Sequence, residues 1–156
     1  MSNHGSETPV AIVVDSAASL PDVVANSLEI QVVPMNVTLG GESYVDACDL
    51  TSNTLYRMMR TSSVVPYTSA PSPDEFLKVF RCASNKTQSI LCLTVGSKFS
   101  STFNSAKIAA RVIKESQNHL DIVIVDTKSA AGGEGLIALE ALRAAKQNKG
   151  LKEVES

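Results

Sequence analysis

The chain has few of the residues that bind nucleic acids or cross membranes. Tryptophan is absent and only 4% of the 156 residues are aromatic, so few rings are available on which bases could stack. The 14 lysines and arginines are spread among 16 acidic residues, without the basic cluster that a phosphate backbone requires. No apolar run approaches the roughly 20 residues that span a bilayer. The sequence therefore predicts no nucleic-acid partner and no membrane span.

Cysteine and histidine are too few to suggest a metal site or a disulfide framework. Cys48, Cys82 and Cys92 lack CxxC spacing, and an odd number of cysteines suits free thiols in a reducing cytoplasm. Cys92 lies in an apolar run and is interpreted as a small buried hydrophobic residue. The two histidines, His4 and His119, stand apart from each other and from the cysteines. We therefore predict no metal and, because the N-terminus lacks signal-peptide features, a cytoplasmic location.

Sequence motifs of common enzymes are also missing. There is neither a GxxxxGK[ST] phosphate loop nor a GxSxG nucleophile elbow, and a Ser-His-Asp triad would depend on His119. Gly133, Gly135 and Ala138 satisfy GxGxxA, but no second strand with a terminal acid follows at the spacing of a dinucleotide site. These glycines are better explained by a helix start that approaches other backbone closely.

Three short apolar runs predict the central sheet. VAIVVD begins at Val10, SILCLTV at Ser89 and DIVIVD at Asp121, and each is rich in β-branched residues without polar alternation. Such runs are typical of parallel strands that are buried on both faces. The run that begins at Glu29 contains Pro34, which cannot donate to a strand ladder, so this segment is expected to bend or to lie at an edge.

Helices are predicted in the intervals, and together with the strands they indicate one α/β domain, a three-layer α/β/α arrangement with a mostly parallel sheet. A Gly-Gly pair at 40–41 predicts a turn into the extended run ESYV. The expected helix starts are Ser19, Thr51, Ser72 with a capping box to Glu75, and about Ser100, and a last helix covers about 134–147.

Hydroxyl groups collect where the predicted strands end. The crevice beyond the carboxyl ends of parallel strands is the usual ligand site of an open sheet. Hydroxyls and helix N-terminal amides can bind an oxyanion without providing a nucleophile or a base. The alternative is that each of these residues only caps a helix. The candidate ligand-binding residues are Asp15 and Ser16 after the first strand, Thr68 and Ser69 in the proline-bracketed loop PYTSAPSP, and Ser100 and Ser101 before the long helix.

Five of these segments together resemble the N-terminal lobe of the DegV family. They occur in the family's order from about Val10 to Gly150. The matching segments are IVVDSAASLP from Ile12, VVPMNVTLGGESYVD from Val32, PYTSAPSPDEF from Pro66, LTVGSKFSSTFNSA from Leu93 and IVIVDTKSAAGGEG from Ile122.

The resemblance implies a bacterial protein that binds a long-chain fatty acid between two lobes, as a ligand and without a cofactor. It implies that Thr68, with Ser69 beside it, and Ser100 hold the lipid carboxylate. Members of the family present the acyl chain to a partner fatty acid kinase, so the chain is expected to be a carrier and not an enzyme. Apolar residues that could line a slot for the tail are Leu55, Met58, Met59, Phe99 and Phe103, although core packing explains each one better when it is taken alone.

The chain also departs from the family. Ala70 stands where glutamine is usual, and Ser101 stands where glycine is usual. Family members are about twice as long, which implies a flexible tail at 1–9, the lobe at 10–150, and at 151–156 the start of a connection to a missing second lobe. The uncovered face of a single lobe would then favour self-association.

Two other functions remain open at this point. A small α/β hydrolase or transferase that acts on a phosphorylated metabolite could use Asp15 or Asp126 as acid or base. A structural remnant would keep the fold and bind no ligand.

Overall fold

Strands form where the sequence is β-branched and apolar, and they build two separate sheets. The computed structural model describes residues 9–46, 48–61 and 64–156, so nearly all of the predicted flexible tail lies outside the described residues. The strands are β1 Val10–Asp15, β2 Gln31–Val33, β3 Asn36–Leu39, β4 Glu42–Val45, β5 Tyr67–Ser69, β6 Ser89–Thr94 and β7 Asp121–Asp126.

The helices begin close to the positions that the sequence predicts. Two further helical elements were not predicted: a 3-10 turn, Ser16–Ala18, before the first helix, and a short helix after Gly150. The helices are α1 Asp22–Leu28, α2 Ser52–Thr61, α3 Pro73–Ser84, α4 Thr102–Ser116, α5 Gly132–Ala145 and α6 Leu151–Glu155.

The larger sheet is wholly parallel, in the order β2-β1-β6-β7. The three apolar runs are thus neighbours in space, with Val14 of β1 paired to Leu93 of β6, which in turn pairs with Val125 of β7. The predicted parallel sheet is confirmed, and the carboxyl ends of its strands share one edge.

Helices cover both faces of this sheet, which confirms the three-layer arrangement. On one face α3 and α4 pack over a core that includes Phe76 and Phe80, whose ring centroids are 5.8 Å apart. Full burial of each such ring contributes roughly 1.5–3 kcal/mol. Helices α5 and α6 pack on the other face through small residues such as Ala138 and Ala141. Cys92 is fully buried between the layers, as predicted.

The smaller sheet is antiparallel, in the order β4-β3-β5. It arises because the segment from Glu29 breaks at Pro34, so that β2 becomes an edge of the parallel sheet and β3 leaves it. The predicted bend and edge position are therefore confirmed. Gly40 and Gly41 both have positive φ, 62° and 90°, and they turn β3 into β4 as expected.

Two of the three short-range capping predictions are confirmed. The Ser72 hydroxyl accepts from the Glu75 N–H while the Glu75 carboxylate accepts from the Ser72 N–H, which is the predicted capping box. The Thr51 hydroxyl accepts from the Thr54 N–H at 3.3 Å. The cap at Ser19 was wrong: its φ of 51° closes the 3-10 turn, and Pro21 precedes α1 without a side-chain hydrogen bond.

Helix α2 differs from the other long helices because none of its side chains is buried. Its apolar residues, which include Leu55 and Tyr56, are at best half-buried. Among the residues that the structure describes, no helix is long and apolar enough to cross a membrane.

Candidate functional site

Asp15 ends β1 at the edge where the parallel strands finish, and it is fully buried. One carboxylate oxygen accepts from the Val95 N–H at 2.8 Å, and the other accepts from the Ala17 N–H at 2.9 Å. Burial raises the pKa of this carboxyl, and the two backbone hydrogen bonds oppose that rise. Both oxygens are thus engaged by main-chain donors on either side of the strand end.

Ser16, the next residue, is tied to a different part of the chain. Its hydroxyl accepts from the Met35 N–H at 3.0 Å, and the Met35 carbonyl accepts from the Asp46 N–H at 2.9 Å. Met35 lies between β2 and β3, so Ser16 fastens the start of the antiparallel sheet to the end of β1.

Thr68 and Ser69 lie on β5, an edge strand of the antiparallel sheet, and both are exposed. Thr68 pairs with Val37, and Ser69 pairs with Asn36, which follows Met35 directly. The prediction of a loop here was wrong, because the extended residues after Pro66 pair with the edge of β3. This pairing brings the two hydroxyl residues close to the junction that Ser16 holds.

Ser100 and Ser101 precede α4, which begins two residues later than expected, at Thr102. The half-buried Ser100 hydroxyl lies 2.8 Å from the Thr102 hydroxyl and accepts from the Thr102 N–H at 3.3 Å. Ser101 is exposed and its side chain makes no capping bond. The N-terminus of this 15-residue helix favours an anion, so both hydroxyls lie where a carboxylate would be stabilised.

The segment Val95–Ser101, which joins β6 to α4, is held from both sides. Asp15 holds it from β1, and Asp126 at the end of β7 accepts from the Ser97 N–H at 3.0 Å and from the Ser97 hydroxyl at 2.6 Å. The Ser97 hydroxyl, followed by the backbone N–H groups of Lys128 and Ser97, lowers the pKa of Asp126. Two carboxylates from the flanking strands therefore fix the segment that carries Ser100.

The five apolar residues proposed to line a tail slot are not core residues. The expectation that each packs in the core was wrong, since none is fully buried: Phe99 is 71% exposed, Met59 is 39% exposed, and Leu55, Met58 and Phe103 are half-buried. A separate groove of about 1230 Å³ opens beside Asp15 and Ser16 between α1, α2 and α3. Its lining mixes apolar side chains with Lys78 and none of the five residues borders it.

Glu134 is a buried acid that the sequence did not reveal. It is fully buried in the first turn of α5, and within the described part of the chain neither of its side-chain oxygens has a hydrogen-bond partner. Burial, and then the nearby charge of Asp15, raise the pKa of Glu134 to about 9. An acid in a first helical turn normally faces solvent, so only the packing of α5 could have shown this burial.

Close packing at the start of α5 explains the GxGxxA pattern. A Cβ on Gly135 would lie 2.8 Å from the Ala18 carbonyl oxygen, so glycine is needed where α5 crosses the 3-10 turn. The interpretation as a close backbone approach is confirmed at Gly135, whereas a Cβ on Gly133 would meet the Ser129 side chain. In the ranges that the structure describes, no group of three or more His, Cys, Asp or Glu residues could hold a metal ion.

A three-layer α/β lobe defines the class of this protein, with one hydroxyl-bearing segment at the carboxyl edge of its parallel sheet and another on the edge strand of the antiparallel sheet. The sequence matches the DegV family over residues 9–156, and the chain belongs to that family. A DegV domain-containing protein of Clostridium acetobutylicum is 29% identical to it over 147 residues, which are 94% of this chain and 51% of the relative.

Two solved structures are similar to the lobe. A fatty-acid-binding DegV family protein of Thermus thermophilus is 30% identical, with a TM-score of 0.82 over 94% of this chain and 51% of that one. A stearic-acid-binding protein of Eubacterium ventriosum is 27% identical, with a TM-score of 0.85 over 94% of this chain and 50% of that one. The chain spans about half the length of these relatives.

Proposed function

We propose that this chain binds a long-chain fatty acid and holds its carboxylate through the hydroxyls of Thr68, Ser69, Ser100 and Ser101. The observation that carries the proposal is the position of Ser100, a half-buried hydroxyl immediately before α4 in a segment fixed by two carboxylates. The proteins of Thermus thermophilus and Eubacterium ventriosum, which bind fatty acids, support it because their structures match the lobe that carries these hydroxyls.

The acyl tail is proposed to lie on the apolar side chains that the lobe leaves uncovered. Met59 and Phe99 expose large apolar surfaces, and Leu55, Met58 and Phe103 are only half-buried. Each CH₂ group removed from water contributes about 0.8 kcal/mol, so a tail that one lobe covers on one side alone binds weakly. Residues 10–150 are proposed to form this lobe, and residues 151–156, whose helix α6 packs against it, to lead towards a second one. A second lobe or another copy of this chain would cover the tail.

The proposed role is that of a carrier, which presents the acyl chain to a fatty acid kinase. The two candidate aspartates are poorly suited to act as the catalytic acid or base of a hydrolase or transferase. Asp15 is fully buried and each of its oxygens already accepts from a backbone N–H, so the carboxylate presents no exposed surface to a substrate. The pKa of Asp126 is lowered by its hydrogen bonds with Ser97, so it is a poor general acid.

Native mass spectrometry with added palmitate tests this proposal. The unmodified chain should carry one palmitate, and Ser100→Ala or Thr68→Val should weaken binding by about 10-fold or more, because each loses a hydrogen bond to a charged group. Ser84→Ala is the matched control: that hydroxyl donates to the Arg81 carbonyl at the end of α3, which precedes the start of β6 and not the carboxyl end of a strand.

Two results would contradict the carrier function. One is the absence of any palmitate complex with the unmodified chain, and the other is binding by Ser100→Ala and Thr68→Val that equals the control. Turnover of phosphate or acyl esters that disappears in Asp15→Asn would instead favour the enzyme.

A further inference from the structure

We propose that Asp15 and Ser16 are positioning residues, which set the two hydroxyl-bearing segments at the spacing that one carboxylate requires. This inference rests on the proposed function. The sequence suggested that Asp15 and Ser16 contact the ligand directly. We propose instead that both residues act on the ligand indirectly. The two residues are adjacent in the chain, yet each is bonded to a different segment of the site.

Asp15 fixes the segment that carries Ser100. Its bond to the Val95 N–H joins residues 80 positions apart, and Val95 is the first residue after β6. A turn follows at once, in which the Phe99 N–H donates to the Gly96 carbonyl at 2.8 Å, and it leads to Ser100. Since the Asp15 carboxylate is fully buried and each oxygen accepts from a backbone N–H, it acts on a ligand only through the position of this segment.

Ser16 fixes the segment that carries Thr68 and Ser69. Its bond to the Met35 N–H anchors the chain one residue before β3, and the register of β3 with β5 then places Ser69 opposite Asn36. One residue along a strand is a step of about 3.3 Å and reverses the side-chain direction. A displaced β3 would therefore carry the Thr68 hydroxyl away from a ligand.

The anchors are effective because they stand at the end of an interior strand. β1 has hydrogen-bonded neighbours on both sides, β2 and β6, so its end is held firmly. Hydroxyls held at a fixed spacing lose little conformational freedom when a carboxylate binds. Such preorganisation raises the affinity for the carboxylate headgroup and leaves the contribution of the tail to affinity unchanged. The pair should therefore control headgroup recognition and leave tail binding unchanged.

Substitutions at Asp15 and Ser16 can remove or keep a single hydrogen-bond acceptor. Both partners of Asp15 are N–H donors, so an asparagine offers one acceptor oxygen and turns an NH₂ group towards the other donor. Ser16→Ala removes the acceptor for Met35, whereas Ser16→Thr keeps it. Thr87→Val is the matched control, because Thr87 is buried and accepts from the Ser89 N–H at the opposite end of the strands.

The experiment compares binding of palmitate and of 1-hexadecanol, which has the same tail but no carboxylate, in a fluorescence competition assay. The unmodified chain and Thr87→Val should prefer palmitate by about 10-fold. Asp15→Asn and Ser16→Ala should lose that preference through weaker palmitate binding, with hexadecanol affinity changed less than about two-fold. Ser16→Thr should restore the preference.

The outcomes separate this inference from the function on which it rests. If the unmodified chain binds neither lipid, both the proposed function and the positioning role are contradicted. If it binds and the two variants keep the preference for palmitate, or lose both lipids equally, only the positioning role is overturned.

Hydrogen exchange without lipid adds a measurement that needs no ligand. Asp15→Asn should exchange the Val95 amide at least about 10-fold faster, and Ser16→Ala should do the same for the Met35 amide. Unchanged protection at both amides overturns the inference. Should Asp15→Asn fail to fold, Ser16→Ala and Ser16→Thr test it alone.

Discussion

Glu134 and Asp15 are two buried carboxyl groups near the carboxyl edge of the sheet, and the charge of one opposes ionisation of the other. Asp15 has two backbone donors as partners, whereas Glu134 has none among the described residues. Burial first and the Asp15 charge second raise the pKa of Glu134 to about 9, so this side chain is neutral at pH 7. The folded chain therefore contains a protonated glutamic acid beside the residue that is proposed to anchor the site.

The stability of the chain should fall as pH rises from about 4.5 to about 9. In that window folded Glu134 keeps its proton while the unfolded chain loses it, so the unfolded state binds fewer protons. Each pH unit then costs up to about 1.4 kcal/mol of the free energy of unfolding. Glu134→Gln keeps the shape without the titration, so urea unfolding at pH 5, 7 and 9 should give this variant a flatter pH profile than the unmodified chain. Equal slopes for the two proteins would show that Glu134 ionises freely when folded.

Gly135→Ala should destabilise the fold. The new methyl group would lie 2.8 Å from the Ala18 carbonyl oxygen, and main chain at that contact cannot move aside cheaply. Overpacking of this kind costs roughly 1–3 kcal/mol, partly offset by the better helix propensity of alanine. Thermal unfolding measures the difference.

Gly132→Ala is the control for that change. It lies in the first turn of the same helix, and a Cβ there meets nothing within 4 Å. This variant should be neutral or more stable by about 0.5–1 kcal/mol. Equal destabilisation by the two alanines would mean that α5 does not cross the 3-10 turn as closely as described.

Removal of the capping box should separate stability from binding. Ser72→Ala leaves the Glu75 N–H without its partner and should cost about 1 kcal/mol of unfolding free energy, or 2–4 °C in Tm. Ser101→Ala removes a hydroxyl that makes no capping bond, so it should change Tm little and weaken palmitate binding. The opposite result would be a Ser101→Ala variant with a lowered Tm and unchanged palmitate affinity. It would show that Ser101 stabilises the helix and does not contact the ligand.

The sequence predicted the parts of the fold that depend on neighbouring residues. β-branched runs, the break at Pro34 and the Ser72 capping box are local patterns, and the structure confirms each of them. The pairing of β5 with β3 and the burial of Glu134 were missed, because both depend on segments that are distant in the chain. The candidate site shows the same difference between local and long-range features. The predicted strand ends were enough to propose Asp15 and Ser16 as site residues. Only the fold showed that their side chains accept from the Val95 and Met35 N–H groups.

A crystal structure of the chain with palmitate tests the central claim most directly. The proposal predicts that the carboxylate oxygens lie within about 2.5–3.0 Å of both the Thr68 and the Ser100 hydroxyl oxygens. It also predicts that the tail runs over the uncovered side chains of Met59 and Phe99. A carboxylate bound elsewhere, for example in the groove between α1, α2 and α3, with both hydroxyls in water, would contradict it.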